Sequence, residues 1–201
     1  MNLRVAIYVF PEVEVLDFAG PFEVFTTASR VHGRSNPAAQ MPFTTFTVAR
    51  SSAPVRARAG LVALPDHTLE SSPGTDLLLV PGGVIDQEVR DPALIDWVRR
   101  ASRTARVIAS VCTGSFILAK AGLLTGKEAT THWEDLAELR NQFPEVIVRE
   151  GVRWVDQGSI VTSAGIAAGI DMSLHLVARF AGRELAEATA RQMDVPYRAE
   201  A

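Results

Sequence analysis

The chain of 201 residues contains one cysteine, Cys112, so it can close no internal disulfide. Nor does Cys112 have a Cys or His neighbour at the spacing of a structural zinc site, and neither a metal nor a cofactor is expected. Basic residues give no surplus. With 20 Lys and Arg against 23 Asp and Glu the net charge is -3, which leaves no basic stripe to neutralise phosphates and argues against nucleic acid as a partner. No stretch approaches the roughly 18 apolar residues of a membrane span. The first apolar run is halted by Pro11 and Glu12, too short and wrongly flanked for a signal peptide. A reduced, cytoplasmic protein that meets a small neutral or polar molecule is the expectation left standing. Internal repeats, low-complexity tracts and interdomain linkers are also missing, so residues 1–201 are expected to form one domain.

What the chain does have is alternation. Short runs rich in Val, Ile and Leu at 3–10, 44–49, 76–80 and 106–110 read as buried strands, and helical spacing fills 20–31 and 92–103 between them. Asp91 followed by Pro92 is a helix start, with a side-chain cap and a proline at the first helical position. This rhythm predicts an α/β fold, a doubly wound and mostly parallel sheet sandwiched by helices in the flavodoxin-like manner. Residues 146–163 break it: Val152-Arg153-Trp154-Val155, the turn Asp156-Gln157-Gly158, then Ser159-Ile160-Val161-Thr162 predict a small antiparallel hairpin, forming an edge or a side ribbon. Two helices then follow, over 166–180 and, beyond Gly182, over 184–192.

The chemistry gathers at Ser110-Val111-Cys112-Thr113-Gly114, where an apolar strand meets an apolar helix at one nucleophilic side chain. A free cysteine is usually a small buried hydrophobe. Here small residues two positions before and two after it allow the sharp turn of a nucleophile elbow, and the helix start beside the sulfur is expected to favour thiolate. Leu79-Val80-Pro81-Gly82-Gly83 ends another strand in a turn able to offer backbone N–H groups, half of an oxyanion hole whose other half is the Thr113 amide. Taken alone, such a turn is more often only a loop. Asp17, just past the first strand, either faces water, caps a helix starting near Pro21, or faces the site. His132, in Thr130-Thr131-His132-Trp133, could assist proton transfer, although a single His beside a Trp is commonly a packing residue.

Leu16-Asp17-Phe18-Ala19-Gly20-Pro21, Pro81-Gly82-Gly83, Cys112-Thr113-Gly114-Ser115, Gly122-Leu123-Leu124 and Ala129-Thr130-Thr131-His132-Trp133 together resemble the ThiJ/PfpI superfamily of class I glutamine-amidotransferase-like domains over nearly the whole chain. Within it they look like the branch holding isonitrile hydratase and the amino-terminal sensor domains of AraC-type regulators. The resemblance implies Cys112 as nucleophile, Asp17 as the neighbouring acid, Thr113 giving hydroxyl and amide, Gly83 giving the second oxyanion amide, and a homodimer. Protease-like members carry His after the cysteine, where this chain has Thr113, which counts against peptidase activity. The chain stops at Ala201, so it is expected not to be a complete AraC-type regulator.

The reaction implied is cysteine-dependent hydration of an isonitrile to an N-substituted formamide through a thioimidate. It asks for an Asp17 whose pKa is raised by burial beside the sulfur. Two other readings use the same residues: a non-catalytic or redox-responsive sensor domain, and glyoxalase or deglycase chemistry on α-oxoaldehydes.

Overall fold

In the computed structural model, which describes residues 2–200, a seven-stranded sheet forms the centre. Its strands are β1 (Leu3–Tyr8), β2 (Phe43–Ala49), β3 (His67–Thr68), β4 (Leu77–Val80), β5 (Val107–Val111), β6 (Trp154–Asp156) and β7 (Ile160–Ser163), in spatial order β6-β7-β5-β4-β1-β2-β3. Every neighbouring pair is parallel except β6 with β7. The strands β4, β5 and β7 are buried at every residue, as strands covered on both faces must be, and β4 accordingly reads as a continuous apolar run.

The helices are α1 (Val15–Ser35), α2 (Pro92–Ser102), α3 (Gly114–Lys120), α4 (Leu136–Gln142), α5 (Ala168–Ala181) and α6 (Arg183–Gln192). From β1 the chain crosses through α1 to β2 on one side, and from β4 it crosses through α2 to β5 on the other. Because such crossovers are right-handed, the two helices fall on opposite faces, and the direction of winding reverses between β1 and β4. α5 and α6 return to pack on α1, while α3 packs beside α2. This reversal point is where an open α/β sheet leaves a crevice beyond its strand ends.

Three expectations shift. The first helix begins at Val15, five residues ahead of the predicted Gly20, and carries Pro21 inside it. Burial explains this, since Asp17, Phe18, Gly20 and Pro21 are all covered, and a Cβ on Gly20 would come within 2.9 Å of Ile170 on α5. Tertiary packing thus overrides the local proline signal. The hairpin forms, but only β6 is an edge: β7 lies inside the sheet, paired in parallel with β5. Two small ribbons, Val55–Arg56 with Val62–Ala63 and Glu128–Ala129 with Ile147–Val148, were not expected and are two residues per strand. Asp91 caps α2 as its sequence predicts, its carboxylate accepting from the Ala93 amide at 2.9 Å. Among the described residues no helix is long and apolar enough to cross a membrane.

Candidate functional site

Cys112 follows β5 with φ of +55°, a left-handed conformation that costs a residue with a side chain on the order of 1 kcal/mol or more. Its surroundings fix it there. The Cys112 carbonyl accepts from the Thr131 hydroxyl at 2.9 Å, the Ser115 hydroxyl at 3.1 Å and the Ser115 amide at 3.3 Å, while its own amide donates to the Ser163 carbonyl at 3.2 Å. Gly114 is required because a Cβ there would sit 2.1 Å from the Val80 carbonyl oxygen, so α3 can start hard against β4 only without a side chain. The small residue two places after the cysteine therefore has a steric cause.

Asp17 lies in the first turn of α1 and is fully buried. It is not a helix cap: Glu14 occupies that position, and the Asp17 Oδ2 accepts instead from the Gly82 amide at 3.0 Å. Its Oδ1 is buried with no hydrogen-bond partner among the described residues. Burial pushes this carboxyl up to about 7, opposed by the Gly82 N–H, helped by the Glu14 charge and opposed again by the Cys112 thiol. Near neutral pH Asp17 is therefore divided between acid and carboxylate.

The thiol behaves contrary to expectation. Cys112 is 8% exposed, and burial first, then the Asp17 charge, pushes it up to about 12. The Thr113 amide pulls it down without offsetting burial and the Asp17 charge. At rest the proton is on sulfur.

The Pro81-Gly82-Gly83 turn is strapped to the segment after β1. Glu14 donates its amide to the Gly82 carbonyl at 2.9 Å, and Val84 donates to the Glu12 carbonyl at 3.1 Å. Both glycine amides are spoken for. Gly82 serves Asp17, and Gly83 donates to Thr113 Oγ1 at 2.9 Å while that hydroxyl donates back to the Gly83 carbonyl at 3.0 Å. The Gly83 N–H, expected as an oxyanion donor, is engaged by Thr113 Oγ1 in this structure. The Thr113 amide lies beside the sulfur and lowers its pKa.

Cys112, Thr113, Gly83 and His132 line one cleft of about 570 Å³. Asp17 and Gly82 lie behind its wall. His132 Nδ1 is 3.5 Å from Asp135 Oδ2 and 3.6 Å from Glu134 Oε2, so carboxylates orient the ring. Gly165, which the sequence reading passed over, separates ring and sulfur: a Cβ there would stand 2.4 Å from His132 Cδ2 and 3.0 Å from Cys112 Sγ. Its signal was available, a small residue just past the carboxyl end of a buried strand. Also unforeseen is a polar network between β1 and the loop before α2. Tyr8 donates its hydroxyl to Glu88 at 2.7 Å, and Arg50 bridges Glu88 at 2.7 Å and Asp91 at 2.5 Å. Among the described residues no group of three or more His, Cys, Asp or Glu is placed to hold a metal.

A strained cysteine backed by a buried carboxyl, at the reversal point of a parallel sheet, defines an α/β domain with a cysteine elbow. The chain belongs to the DJ-1/PfpI family, whose model matches residues 3–179. It is 35% identical to isonitrile hydratase of Pseudomonas putida over 96% of this chain and 79% of that protein. It is 32% identical to the HTH-type transcriptional regulator CdhR of Pseudomonas aeruginosa over 90% of this chain, and spans 52% of the regulator's length. Among solved structures, a ThiJ/PfpI family protein from Pseudomonas syringae superposes with a TM-score of 0.84 at 30% identity, covering 96% of this chain and 75% of that one.

Proposed function

We propose that the protein hydrates isonitriles, R–N≡C, to N-substituted formamides, with Cys112 as nucleophile and Asp17 as proton carrier. The observation that carries this reading is the fully buried Asp17 carboxyl, raised to about 7, set against a protonated thiol at the floor of a cleft. A carboxylate and a thiol of this kind hold one transferable proton between them.

In the first half-reaction the Asp17 carboxylate takes the thiol proton as sulfur attacks the terminal carbon, and returns that proton to the same carbon. The product is the thioimidate R–N=CH–S–Cys112. In the second, Asp17 takes a proton from water as the oxygen attacks the carbon and passes it to the substrate nitrogen. The tetrahedral species then collapses: its C–S bond breaks, the hydroxyl proton returns to sulfur through Asp17, and R–NH–CHO leaves. Charge that develops on oxygen is met by the Thr113 amide. No oxidant or cofactor enters the balance. The likeness to isonitrile hydratase supports the substrate class.

Incubation with a simple aliphatic isonitrile should give the formamide, and Cys112→Ala should give none. Product formed by Cys112→Ala at the parent rate would sink the mechanism. A second reading, small-molecule sensing without turnover, is favoured by the thiol's rise to about 12, which starves a nucleophile of thiolate, and by the likeness to a regulator. Tight binding of an isonitrile with no formamide released would select it.

A further inference from the structure

The charge of the cleft goes beyond what the reaction requires. Five carboxylates line it, from Glu14, Asp86, Glu134, Asp135 and Glu138, against one guanidinium, Arg58, in a chain whose whole net charge is only -3. The acidity of this wall is therefore not a share of a generally acidic surface. Nor is it one solvated helix face. Glu14 stands at the head of α1, Asp86 follows the Pro-Gly-Gly turn, and the other three come from the turn Trp133–Asp135 and from α4.

Of the five, only Glu14 has a guanidinium partner, while Asp135 and Glu134 share the His132 imidazole, whose Nδ1 lies 3.5 Å and 3.6 Å from them. Arg58 is occupied by Glu14 at 3.4 Å. Glu138 accepts only the neutral Gln142 amide, at 2.6 Å, and neither it nor Asp86 has an ion-pair partner among the described residues. The group is close enough to interact with itself and with the reacting atom: burial pushes the Asp135 carboxyl up, His132 opposes this, Glu138 and Glu134 add to it, and Asp135 in turn pushes up Cys112. Beside these acids stand Val84, Phe116 and Ile166, apolar surface for a short carbon body. Asp86, Glu134 and Glu138 are exposed and Glu14 and Asp135 half-buried, and carboxylates gathered around one cleft concentrate ligands of the opposite sign.

We infer that the cleft selects substrates bearing a positive charge a few bonds from the reacting group, alkylammonium isonitriles rather than neutral or carboxylate-bearing ones. The identity of the reacting group rests on the proposed function; the preference for a cation does not. Two arms separate them.

In the first, turnover is compared for trimethyl(2-isocyanoethyl)ammonium, its neutral carbon isostere 3,3-dimethylbutyl isocyanide, and 3-isocyanopropanoate. The cation should have a kcat/KM at least about tenfold above the neutral compound, the anion should be poorest, and the preference should shrink as salt rises. The Asp86→Asn, Glu138→Gln double variant should reduce kcat/KM for the cation more than for the neutral isostere. In the second arm, calorimetry on the wild-type protein compares choline with 3,3-dimethylbutan-1-ol, the same shape without the charge, and choline should bind at least about tenfold tighter. Equal or weaker binding of choline overturns the inference, as does a neutral substrate turned over as well as the charged one. Tight choline binding with no turnover of any isonitrile would uphold the charge preference and dismiss the hydratase reading.

Discussion

Asp17 is the residue at which stability and chemistry pull in opposite directions. Its carboxyl ionises at about 7 in the folded protein against 3.8 for an ordinary aspartate, so the folded state binds the proton more tightly. The stability this lends is complete below about pH 3.8 and is lost as pH climbs through about 7. Above that, folding must bury a carboxylate with one oxygen unpartnered. Asp17→Asn keeps the shape and an acceptor for the Gly82 amide and never ionises. It should be more stable than the parent at pH 8, by on the order of a few kcal/mol, and close to it at pH 4. Thermal melts at the two pH values measure the difference; equal gaps at both would refute the buried ionisation. The same variant should lose at least about a hundredfold in formamide formation, the usual size of a removed proton carrier. For the parent, kcat/KM should rise with pH through about 7, because the reactive pair is thiol with carboxylate and the doubly protonated pair has no base. A flat profile from pH 5 to 9 would exclude Asp17 from the proton path.

Secondary elements carried most of what could be read in advance, and the reason lies in their burial. β1, β4 and β5 were legible because covered strands are short, mostly apolar runs, β2 because β-branched and aromatic residues fill it, and α2 because Asp91 and Pro92 mark its start. The start of α1 was not, since Pro21 reads as a first-turn residue and only packing against α5 shows otherwise. At the site, Cys112, Thr113 and the flanking small residues Ser110 and Gly114 were legible as a steric pattern. The height of the thiol pKa was not, because it comes from burial and from Asp17, which is distant in sequence. The same applies to the network that ties β1 to the loop before α2. Glu88 is 2% exposed, and its carboxylate depends on Tyr8 and Arg50, 80 and 38 residues away. No periodicity announces such a contact. Arg50→Ala should strand the Glu88 charge and cost about 3–5 kcal/mol in denaturant unfolding at neutral pH. Arg50→Ala combined with Glu88→Gln should recover part of that loss, since the buried group is then neutral. A single variant as stable as the parent would mean that Glu88 is buried as the acid.

For the whole molecule, large apolar side chains are exposed at several places, and three of them gather on one ribbon. Leu61, Val62 and Leu64 are 50%, 52% and 71% exposed, three large apolar side chains within four residues on the ribbon that holds Val62–Ala63. Grouped apolar exposure of this kind marks a contact surface more often than chance placement of single residues does. The ribbon begins next to Arg58, whose amide donates to the Val13 carbonyl at 3.0 Å and whose side chain reaches Glu14 at the cleft. A second copy of the chain covering the ribbon would thus press on the segment that shapes the crevice. The homodimer implied by the superfamily resemblance is expected to use this surface through a two-fold, self-matching contact. Sedimentation equilibrium should give a mass twice that of one chain, and Leu64→Asp should shift it toward the monomer by placing a charge in the contact. If the parent sediments at the mass of a single chain, the ribbon is simply exposed. If Leu64→Asp stays dimeric, the two copies meet elsewhere, and the link from dimer contact through Arg58 to the cleft is broken with it.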